Sequence, residues 1–559
     1  MFPSVYYIYI YYIHNKDYPL YIYTHISIQK MGIPSYFSYI VRNHRSIIKK
    51  IQSDSPKINN LYLDCNSFIY EAHHALNAAA TAKVGYEAAL IKGVCESLVK
   101  MLQHLRPNKR VLIAFDGVAP MAKLDQQRNR RYMAAYQNAG TGTGTGQWNT
   151  AAITPGTAFM QKLSADITKR FSRPSEFGLE QIIVSSSEEP GEGEHKIFEY
   201  IRADTAYHKE TQTIIYGLDA DLIMLTLNHL HISDHLYLYR ETPEFIKHID
   251  KTLNPRENYL LDIPLFAKSI IQELVGQKKT PENPNVLFDY ILLCFFLGND
   301  FLPHFPALNI RTTGINHLMN AYKHVFAGSS ETLTENRQIV WKNMRKFIAH
   351  LAANELVYIQ EEYVQRLKLS KYSNSTSRST SRSEADDTLM LPLKERAHEL
   401  YINPDEAGWE TRYYKVLFQT RIDDERRKAI CTNYLEGLEW TMQYYSIGCV
   451  DWRWQYHYHY PPLLADLIHY VPQFAHTFVP VQPKRPVTPL AQLSYVLPPT
   501  SMGLIPYALH KKLLAEQPDW YVYTDQCVFL WAFCKFFWEA HIDLPHINID
   551  HLEELIKEY

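Results

Sequence analysis

The sequence lacks the cysteine patterns that mark zinc sites. Its 7 cysteines are scattered along 559 residues, and none of them belongs to a CxxC or CxxH motif. Several lie in apolar runs, where cysteine behaves as a small hydrophobic residue. The pattern therefore excludes the usual zinc modules and indicates a reducing intracellular compartment, without distinguishing cytoplasm from nucleus.

A strong charge of either sign is missing too. The formal net charge is −2, so no overall field attracts a polyanion. Any nucleic-acid site must therefore be a local basic patch.

Long apolar runs are also missing. The Tyr- and Ile-rich N-terminal run spans only about nine residues, whereas a membrane-spanning helix needs about twenty apolar ones. Residues 1–30 also lack the basic start and the small-residue cleavage site of a signal peptide. We therefore expect no membrane anchor, and we interpret residues 1–30 as an atypical extension, because Met31 reads like a natural start.

The chain is long enough for several domains, at about 100–200 residues for each. From Met31 onward, apolar strand-like runs alternate with helical patterns, which predicts an α/β domain at residues 31–369 with a mostly parallel sheet flanked by helices. Residues 370–388 are rich in Ser, Thr and Arg and are typical of a flexible linker. Residues 389–559 are rich in Leu, Tyr, Trp and Pro, and we expect a mainly helical second module packed on the first.

The stretch Thr213–Leu227, TIIYGLDADLIMLTL, combines a predicted strand, a turn and a helix. The strand ends at Gly217, and Asp219 and Asp221 follow it. If the segment between the strand and the helix is extended, side chains at i and i+2 point the same way. Ligands of open α/β sheets bind at the carboxyl ends of the strands, which is where this segment lies. The two carboxylates are therefore predicted to face one cation, although an isolated pair of this kind more often caps the next helix.

Other predicted strands, at residues 60–63, 111–115 and 181–185, also lead into acidic residues, as does the turn in LGNDFLPH. The resulting set of candidate metal ligands and catalytic residues is Asp64, Asp116, Glu192, Glu194, Asp219, Asp221 and Asp300. Converging carboxylates without cations would repel one another or be forced to bind protons. Oxygen ligands favour Mg²⁺ or Mn²⁺, and a pair of such ions is a common arrangement for phosphodiester hydrolysis. Each acid alone could equally be a helix cap or a surface residue.

A basic helix face follows the second of these strand ends. In VAPMAKLDQQRNRR, residues 118–131, a helix places Lys123, Gln127, Arg130 and Arg131 on one face. Arginine and glutamine donors match phosphate oxygens, so we predict that this face holds a terminal phosphate near the metals. A basic run by itself is more often a solvated helix face, but its attachment to a metal-ligand strand favours a phosphate site.

An aromatic-rich segment, DWRWQYHYHYPP, lies in the second module. Aromatic rings can stack on unpaired bases, but large rings also bury the most area in a core. We therefore predict that either Trp452 or Trp454 contacts a base and that most of the neighbouring aromatic residues pack between the modules.

Together these motifs resemble the Xrn/Rat1-type 5′→3′ exoribonucleases, relatives of the flap endonucleases with a PIN-like nuclease fold. The resemblance rests on MGIPSYFSYI, LYLDCNSFIY, FDGVAPMAKLDQQRNRRY, ITPGTAFM, PGEGEHKI, YGLDADLIML and LGNDFLPH, and it continues through EGLEWTMQYY, DWRWQYHYHYPPLLADL and PLAQLSYVLPPTS. It implies that the acids bind metal and that the basic face forms a 5′-phosphate pocket. Where the family usually carries a base-stacking His six residues after the first Asp, this chain has Tyr70, which can stack but carries no imidazolium charge.

The resemblance implies a metal-dependent hydrolase that degrades single-stranded RNA from a 5′-monophosphate end and releases nucleoside 5′-monophosphates. The expected cofactor is two Mg²⁺ or Mn²⁺ ions, with no organic cofactor. A structure-specific flap endonuclease acting on DNA shares the acids and is one alternative. A non-catalytic RNA-binding scaffold is another, which the intact acids disfavour.

Overall fold

The computed structural model describes residues 35–51, 57–78, 85–140, 148–240, 251–254, 257–275, 284–326, 328–376 and 388–559. The predicted N-terminal extension, residues 1–30, lies outside the described residues. The same holds for residues 141–147, which include most of a Gly/Thr repeat whose low complexity predicts a flexible insertion.

A seven-stranded sheet forms the centre of the fold. Its strands are β1 Ile48–Lys50, β2 Asn60–Asp64, β3 Arg110–Ala114, β4 Gln181–Ser185, β5 Thr213–Tyr216, β6 Leu236–Arg240 and β7 Tyr259–Asp262. Their order across the sheet is β1-β7-β6-β5-β2-β3-β4. Strands β6, β5, β2, β3 and β4 run parallel, whereas β7 and β1 form an antiparallel edge. The expectation of a mostly parallel sheet is confirmed.

The central strands are buried on both faces, which explains their unbroken apolar character. In the register of the sheet, Leu63 of β2 lies opposite Ile113 of β3 and Tyr216 of β5. These three residues belong to the apolar core on one face of the sheet. Their neighbours Tyr62 and Leu112 belong to the core on the other face. Helices cover both faces, as the sequence predicts.

The α-helices of the described residues surround this sheet and continue into the second half of the chain. They are α1 Tyr36–Asn43, α2 Asn66–Ala78, α3 Tyr86–Leu105, α4 Met121–Gly140, α5 Ala158–Arg170, α6 Gly193–Ala203, α7 Thr205–Lys209, α8 Asp221–His229, α9 Ile263–Val275, α10 Asn285–Phe295, α11 Gly314–Phe326, α12 Trp341–Thr376, α13 Leu391–Lys394, α14 Ala397–Ile402, α15 Trp409–Leu417, α16 Asp424–Ile447, α17 Leu464–Leu467, α18 Pro489–Val496, α19 Tyr507–Glu516 and α20 Ile549–Ile556. Within this described part of the chain, no helix combines the length and the apolar character needed to cross a membrane.

Two short strand pairs and several 3₁₀ turns complete the regular structure. The pairs are β8 Thr334–Glu335 with β9 Gln338–Ile339, and β10 Phe529–Leu530 with β11 His541–Ile542. The 3₁₀ turns are Arg45–Ile47, Thr150–Ala152, Pro174–Phe177, Pro306–Leu308, Pro499–Leu504, Pro518–Trp520, Thr524–Gln526 and Phe537–Glu539.

The helical second half packs directly on the sheet domain. One continuous apolar core joins Ile215 of the sheet, Leu225 of α8 and Phe295 of α10 to Leu435 and Tyr445 of α16. All residues of α8 are buried, because β6, α9, α10 and α16 pack against it. The expected packing of a mainly helical module on the nuclease-like domain is confirmed.

Helix α12 runs through the start of the predicted linker. Residues 370–376 form its last turns, whereas a flexible segment was expected from residue 370. Ser and Thr are tolerated in a helix that has already been nucleated, so their local bias against helix did not end it. Residues 377–387 lie outside the described residues, and the division of the chain at 369 and 389 stays a prediction.

A buried ion-pair network ties α12 to the C-terminal region. Arg366 of α12 donates two hydrogen bonds to Glu399 of α14, at 2.9 and 2.6 Å, and Arg396 donates a third at 2.6 Å. Arg366 also donates to the carbonyl oxygens of Phe533 and Cys534, at 3.1 and 2.8 Å. Glu399 is 1% exposed, so it neutralises two cations out of contact with water. Removing its charge would leave both guanidinium groups buried without the carboxylate that pairs with them.

We therefore expect Glu399→Ala to destabilise the fold by about 3–5 kcal/mol, the usual cost of breaking a buried ion pair. Urea unfolding followed by circular dichroism would measure the change. The matched control is Glu406→Ala, an exposed glutamate nearby whose side chain lies outside this network. Equal stability of the two variants would contradict a stabilising role for the network.

Candidate active site

The sheet brings the predicted acids together at the carboxyl ends of its strands. Strands β5, β2, β3 and β4 are parallel neighbours, so their carboxyl ends lie side by side. Ligand atoms of Asp64, Asp116 and Glu194 lie within 4.8 Å of one another, and so do those of Asp219, Asp221 and Asp300. A third group of the same size combines Glu192, Glu194 and His195. The structure therefore assembles all seven predicted acids.

The backbone at Gly193 closely approaches the group formed by Asp64, Asp116 and Glu194. The backbone N–H of Gly193 donates to Asp116 Oδ1 at 2.6 Å. A Cβ atom at this glycine would lie 2.6 Å from Asp64 Oδ1. Asn66 holds the other oxygen of Asp116 through a 2.5 Å hydrogen bond from Nδ2. Gly193 thus lets the start of α6 approach the ends of β2 and β3.

Burial and mutual repulsion act on the acids together. Burial, followed by the charge of Asp116, raises the pKa of Asp64 well above its ordinary value. Burial and Glu192 raise the pKa of Glu194 in the same way, and burial and Asp219 raise that of Asp221. The protein holds these groups in positions where the charged form is costly unless a cation is close.

Two carboxylate oxygens of the site have no protein partner among the described residues. They are Asp64 Oδ1 and Asp221 Oδ1, both buried. A buried oxygen without a donor is costly, and a divalent cation bound by carboxylates would satisfy it. These groups could therefore hold metal ions, while the identity and the number of the ions stay a prediction.

Lys123 lies between two acids of the site. Its ammonium is 2.5 Å from Glu192 Oε1 and also forms an ion pair with Asp300. Burial raises the pKa of Asp300, but the charges of Lys123 and Arg130 outweigh burial and bring it down to about 2. Lys123 is only 4% exposed. It therefore neutralises the acid cluster, in addition to the phosphate contact predicted for it.

Of the other residues of the basic face, Arg130 borders the same cluster. Arg130 Nη2 lies 3.5 Å from Asp300 Oδ1, and Gln126 donates to that oxygen at 2.5 Å. Gln127 accepts a hydrogen bond of 3.4 Å from Gln492 of α18. Arg131 lies near Tyr70, and burial lowers its pKa. Lys123 and Arg130 therefore meet the acids together with Gln126, which sequence reasoning missed, and the predicted role of Gln127 and Arg131 in a phosphate pocket stays a prediction.

Arg128 points away from this face, as the helical register predicts. Its guanidinium donates to the carbonyl oxygens of Pro545 and Trp520, at 2.6 and 2.7 Å. It is 3% exposed. Arg128 therefore anchors the C-terminal region to α4.

Tyr70 lies at the edge of the site. The residue is 36% exposed, and its hydroxyl lies close enough to Arg131, Asp116 and Arg130 to interact with their charges. This position is compatible with the predicted stacking on a base, which stays a prediction.

Both candidate tryptophans are buried. Trp452 is 6% exposed, and its carbonyl oxygen accepts a 3.0 Å hydrogen bond from the backbone of Met121 at the start of α4. Trp454 is 9% exposed and stacks on Trp440, with ring centroids 5.2 Å apart. Most of the surrounding aromatic residues are core, as predicted, and the base contact assigned to Trp452 or Trp454 stays a prediction.

Two tyrosines and a histidine of the site escaped the sequence analysis. Tyr444 of α16 donates to Glu192 Oε2 at 3.0 Å, and Tyr445 faces Asp221. His195 stacks on Tyr444, with ring centroids 3.6 Å apart. Burial lowers the pKa of His195 well below its ordinary value. The adjacent tyrosines were visible in EGLEWTMQYY, but helical spacing alone could not show that they reach the acids.

Two family models match the chain. The model described as "XRN 5'-3' exonuclease N-terminus" matches residues 31–242. The model described as "Xrn1 helical domain" matches residues 282–400 and 394–558, so it begins well before the boundary predicted at residue 389.

Curated relatives are similar over most of the chain. The chain is 27% identical to "5'-3' exoribonuclease 1" of Saccharomyces cerevisiae, over 95% of the chain and 43% of that protein. It is 26% identical to "5'-3' exoribonuclease 1" of Homo sapiens, over 87% of the chain and 32% of that protein. It is 26% identical to the "5'-3' exoribonuclease 2 homolog" of Drosophila melanogaster, over 95% of the chain and 71% of that protein. The chain thus spans less than half the length of the yeast and human relatives.

Among solved structures, the catalytic core of Rad2 in complex with DNA substrate matches with a TM-score of 0.28 and 13% identity, over 53% of this chain and 69% of that one. The family models, in contrast, cover both the sheet domain with its acids and the helical module that closes over them. On these matches, the chain belongs to the XRN 5'-3' exonuclease family.

Proposed function

We propose that this chain is a 5′→3′ exoribonuclease that hydrolyses single-stranded RNA from a 5′-monophosphate end and releases nucleoside 5′-monophosphates. The observation that carries the proposal is the convergence of seven carboxylates, from four strand ends and the Asp300 turn, beside the cationic face of α4. Relatives named as 5'-3' exoribonucleases match along most of the chain. Since the chain spans only part of the yeast and human relatives, the activity of the whole protein is proposed from the site.

Two all-oxygen groups are the proposed metal sites. Asp64, Asp116 and Glu194 would hold one Mg²⁺ or Mn²⁺ ion, and a second group would hold another. The second group consists of Asp219, Asp221 and Asp300. Bound ions of this kind lower the pKa of water and offset charge that develops on a phosphate. No organic cofactor is required for this chemistry.

The basic face of α4 is the proposed 5′-phosphate pocket. Arg130 borders Asp300, so a phosphate bound there lies next to the acid cluster. Arg131 and Gln127 extend the same face, and arginine offers paired donors to phosphate oxygens. Lys123 is committed to Glu192 and Asp300, so we assign it mainly to neutralising the cluster. Holding the 5′-phosphate at a fixed distance from the acids would select the first internal phosphodiester.

The helical module covers two of the acids. Tyr444 and Tyr445 are 2% and 1% exposed and cover Glu192 and Asp221. Phe301 adds a ring whose centroid lies 5.6 Å from the ammonium of Lys123. A low-dielectric wall strengthens each interaction between the protein and a bound phosphate. These aromatic residues therefore orient the carboxylates and keep the site dry.

The decisive experiment is digestion of three matched RNAs that carry a 5′-monophosphate, a 5′-hydroxyl or a cap, with Mg²⁺ or with EDTA. We expect mononucleotides from the monophosphate RNA with Mg²⁺ and little product in the other reactions. Products resolved by size separate stepwise release from internal cleavage.

A 5′-flap DNA of the same sequence serves as the competing substrate. Cleavage of the flap at its junction, with RNA left intact, would indicate the alternative endonuclease. Binding of RNA without any product would indicate a scaffold. Either result contradicts the proposed function.

A second prediction concerns Asp221. Asp221→Asn should abolish cleavage and leave RNA binding largely intact, because it removes a charge from the proposed metal site. The same change should raise the unfolding temperature in EDTA, because it relieves repulsion from Asp219 and Asp300. In the wild type, Mn²⁺ at a hundred times its dissociation constant should stabilise the fold by about 2.7 kcal/mol, and the variant should lose much of this effect. Differential scanning calorimetry with and without Mn²⁺ would measure both.

Asp234→Asn is the matched control, because this carboxylate is 79% exposed. It should change neither cleavage nor the response to Mn²⁺. Cleavage by Asp221→Asn within a few-fold of the wild type would remove this residue from the metal site.

The last prediction of this group concerns the 5′-phosphate pocket. Losing a charge-assisted contact costs about 1.5–3 kcal/mol, so Arg130→Ala should lower kcat/KM on 5′-monophosphate RNA by roughly ten- to more than a hundredfold. The already slow reaction on 5′-hydroxyl RNA should barely change. Steady-state kinetics on the two RNAs would measure the difference.

Arg173→Ala is the control, because this arginine is 77% exposed and pairs with Glu176, three positions along the chain. It should leave both substrates unaffected. An equal loss on both RNAs in Arg130→Ala would show that the face binds phosphate backbone in general.

A further inference from the structure

One group of the acid cluster differs in chemistry from the other two. A ring nitrogen of His195 lies within 4.8 Å of carboxylate oxygens of Glu192 and Glu194, whereas the other groups offer oxygen alone. Glu194 is shared with the group of Asp64 and Asp116, so the nitrogen-containing group adjoins the proposed metal sites.

The imidazole of His195 is held in place, and its Nδ1 has no hydrogen-bond partner among the described residues. Its side chain is 6% exposed, and Nδ1 is buried with no hydrogen-bond partner in the described part of the chain. Tyr444 stacks on the ring at 3.6 Å and fixes its plane. A buried polar atom that no protein group satisfies needs another partner. A cation is the partner that two adjacent carboxylates favour.

We propose that Glu192, Glu194 and His195 form a mixed nitrogen and oxygen cation subsite that takes a first-row transition ion such as Mn²⁺ in preference to Mg²⁺. Mg²⁺ strongly prefers oxygen ligands and keeps its waters, whereas imidazole is a good ligand for transition ions. The subsite lies within the proposed nuclease site and rests on the proposed function only for its role in catalysis.

Lys123 competes with an entering metal ion for Glu192 at this subsite. Its ammonium lies 2.5 Å from Glu192 Oε1, so an entering ion must share or displace it. Lys123 keeps Asp300 as a second partner when it leaves Glu192. Tyr444 holds the other oxygen of Glu192 at 3.0 Å, which keeps the carboxylate aligned beside His195. The ion therefore replaces one cation with another, and the cluster never carries its full negative charge.

Pulsed electron paramagnetic resonance of Mn²⁺ tests the subsite directly. The untagged full chain is loaded with Mn²⁺ in steps up to three equivalents, without RNA, and electron spin echo modulation is recorded for nitrogen coupling. We expect coupling from one directly bound imidazole in the wild type. Labelling the protein with ¹⁵N-histidine should change the modulation pattern, and His195→Gln should remove the coupling. His235→Gln, at an exposed histidine, is the matched control and should retain it.

Affinity provides a second measurement. His195→Gln should weaken Mn²⁺ binding by at least about tenfold, the size of effect seen when groups that support a metal ligand are lost. Mg²⁺ binding should change much less, so the preference for Mn²⁺ should fall. Isothermal titration calorimetry with each ion would measure both constants.

Two results overturn the inference: Mn²⁺ bound in the wild type by oxygen ligands alone, or nitrogen coupling that persists in His195→Gln. If His195→Gln does not fold, the ¹⁵N-labelled wild type decides, because an unchanged pattern excludes histidine as a ligand. RNA degradation together with oxygen-only Mn²⁺ would reject the subsite and leave the proposed function standing. Nitrogen coupling without RNA degradation would support the subsite and reject the proposed function.

Discussion

The structure depends on one electrostatic constraint, the burial of many carboxylates in a small volume. Burial and mutual repulsion raise the pKa of Asp64, Glu194 and Asp221, so each carries a cost in the charged form. The protein offsets part of that cost with Lys123, whose ammonium pairs with two acids. The remainder is what a divalent cation would offset. Stability and function are therefore opposed at this site, since the arrangement that suits cations weakens the fold in their absence.

The helical module makes this constraint severe. A sheet edge facing water would keep its carboxylates hydrated, and their repulsion would be screened. Helix α16 instead places Tyr444 and Tyr445 over Glu192 and Asp221, and it shares one apolar core with the sheet. The two halves of the chain thus build the site together. The sheet supplies the charges, and the helices supply the low-dielectric surroundings in which those charges act strongly.

Sequence reasoning succeeded where local pattern and topology determine position. Predicted strands at 60–63, 111–115 and 181–185 match β2, β3 and β4 to within a residue, because buried parallel strands are short apolar runs with clear ends. Parallel neighbours then bring their acidic ends together without further information.

The failures of prediction concern contacts between distant segments. Neither Gln126 beside Asp300 nor His195 beside Tyr444 could be found from spacing, because a helical period gives a face and does not say what that face meets. Helix α12 also continues to Thr376, past Ser residues of low helix propensity, because a helix that is already nucleated extends at little cost.

Helix α4 shows why the C-terminal half contributes to the site without supplying an acid. Its basic face meets the acid cluster, while Arg128 and Asn129 on the other side bind backbone atoms of the C-terminal region. Asn129 donates to the carbonyl oxygen of Ala540 at 3.1 Å and accepts from the N–H of Ile542 at 2.8 Å, so it pairs with β11 almost as another strand would. These contacts fix the rotation of α4 about its axis, and a rotation of one residue would turn Arg130 by about 100° away from Asp300. The orientation of the proposed phosphate-binding face therefore depends on distant segments of the chain, since Arg128 and Trp520 are 392 positions apart in the sequence and Asn129 and Ile542 are 413 positions apart.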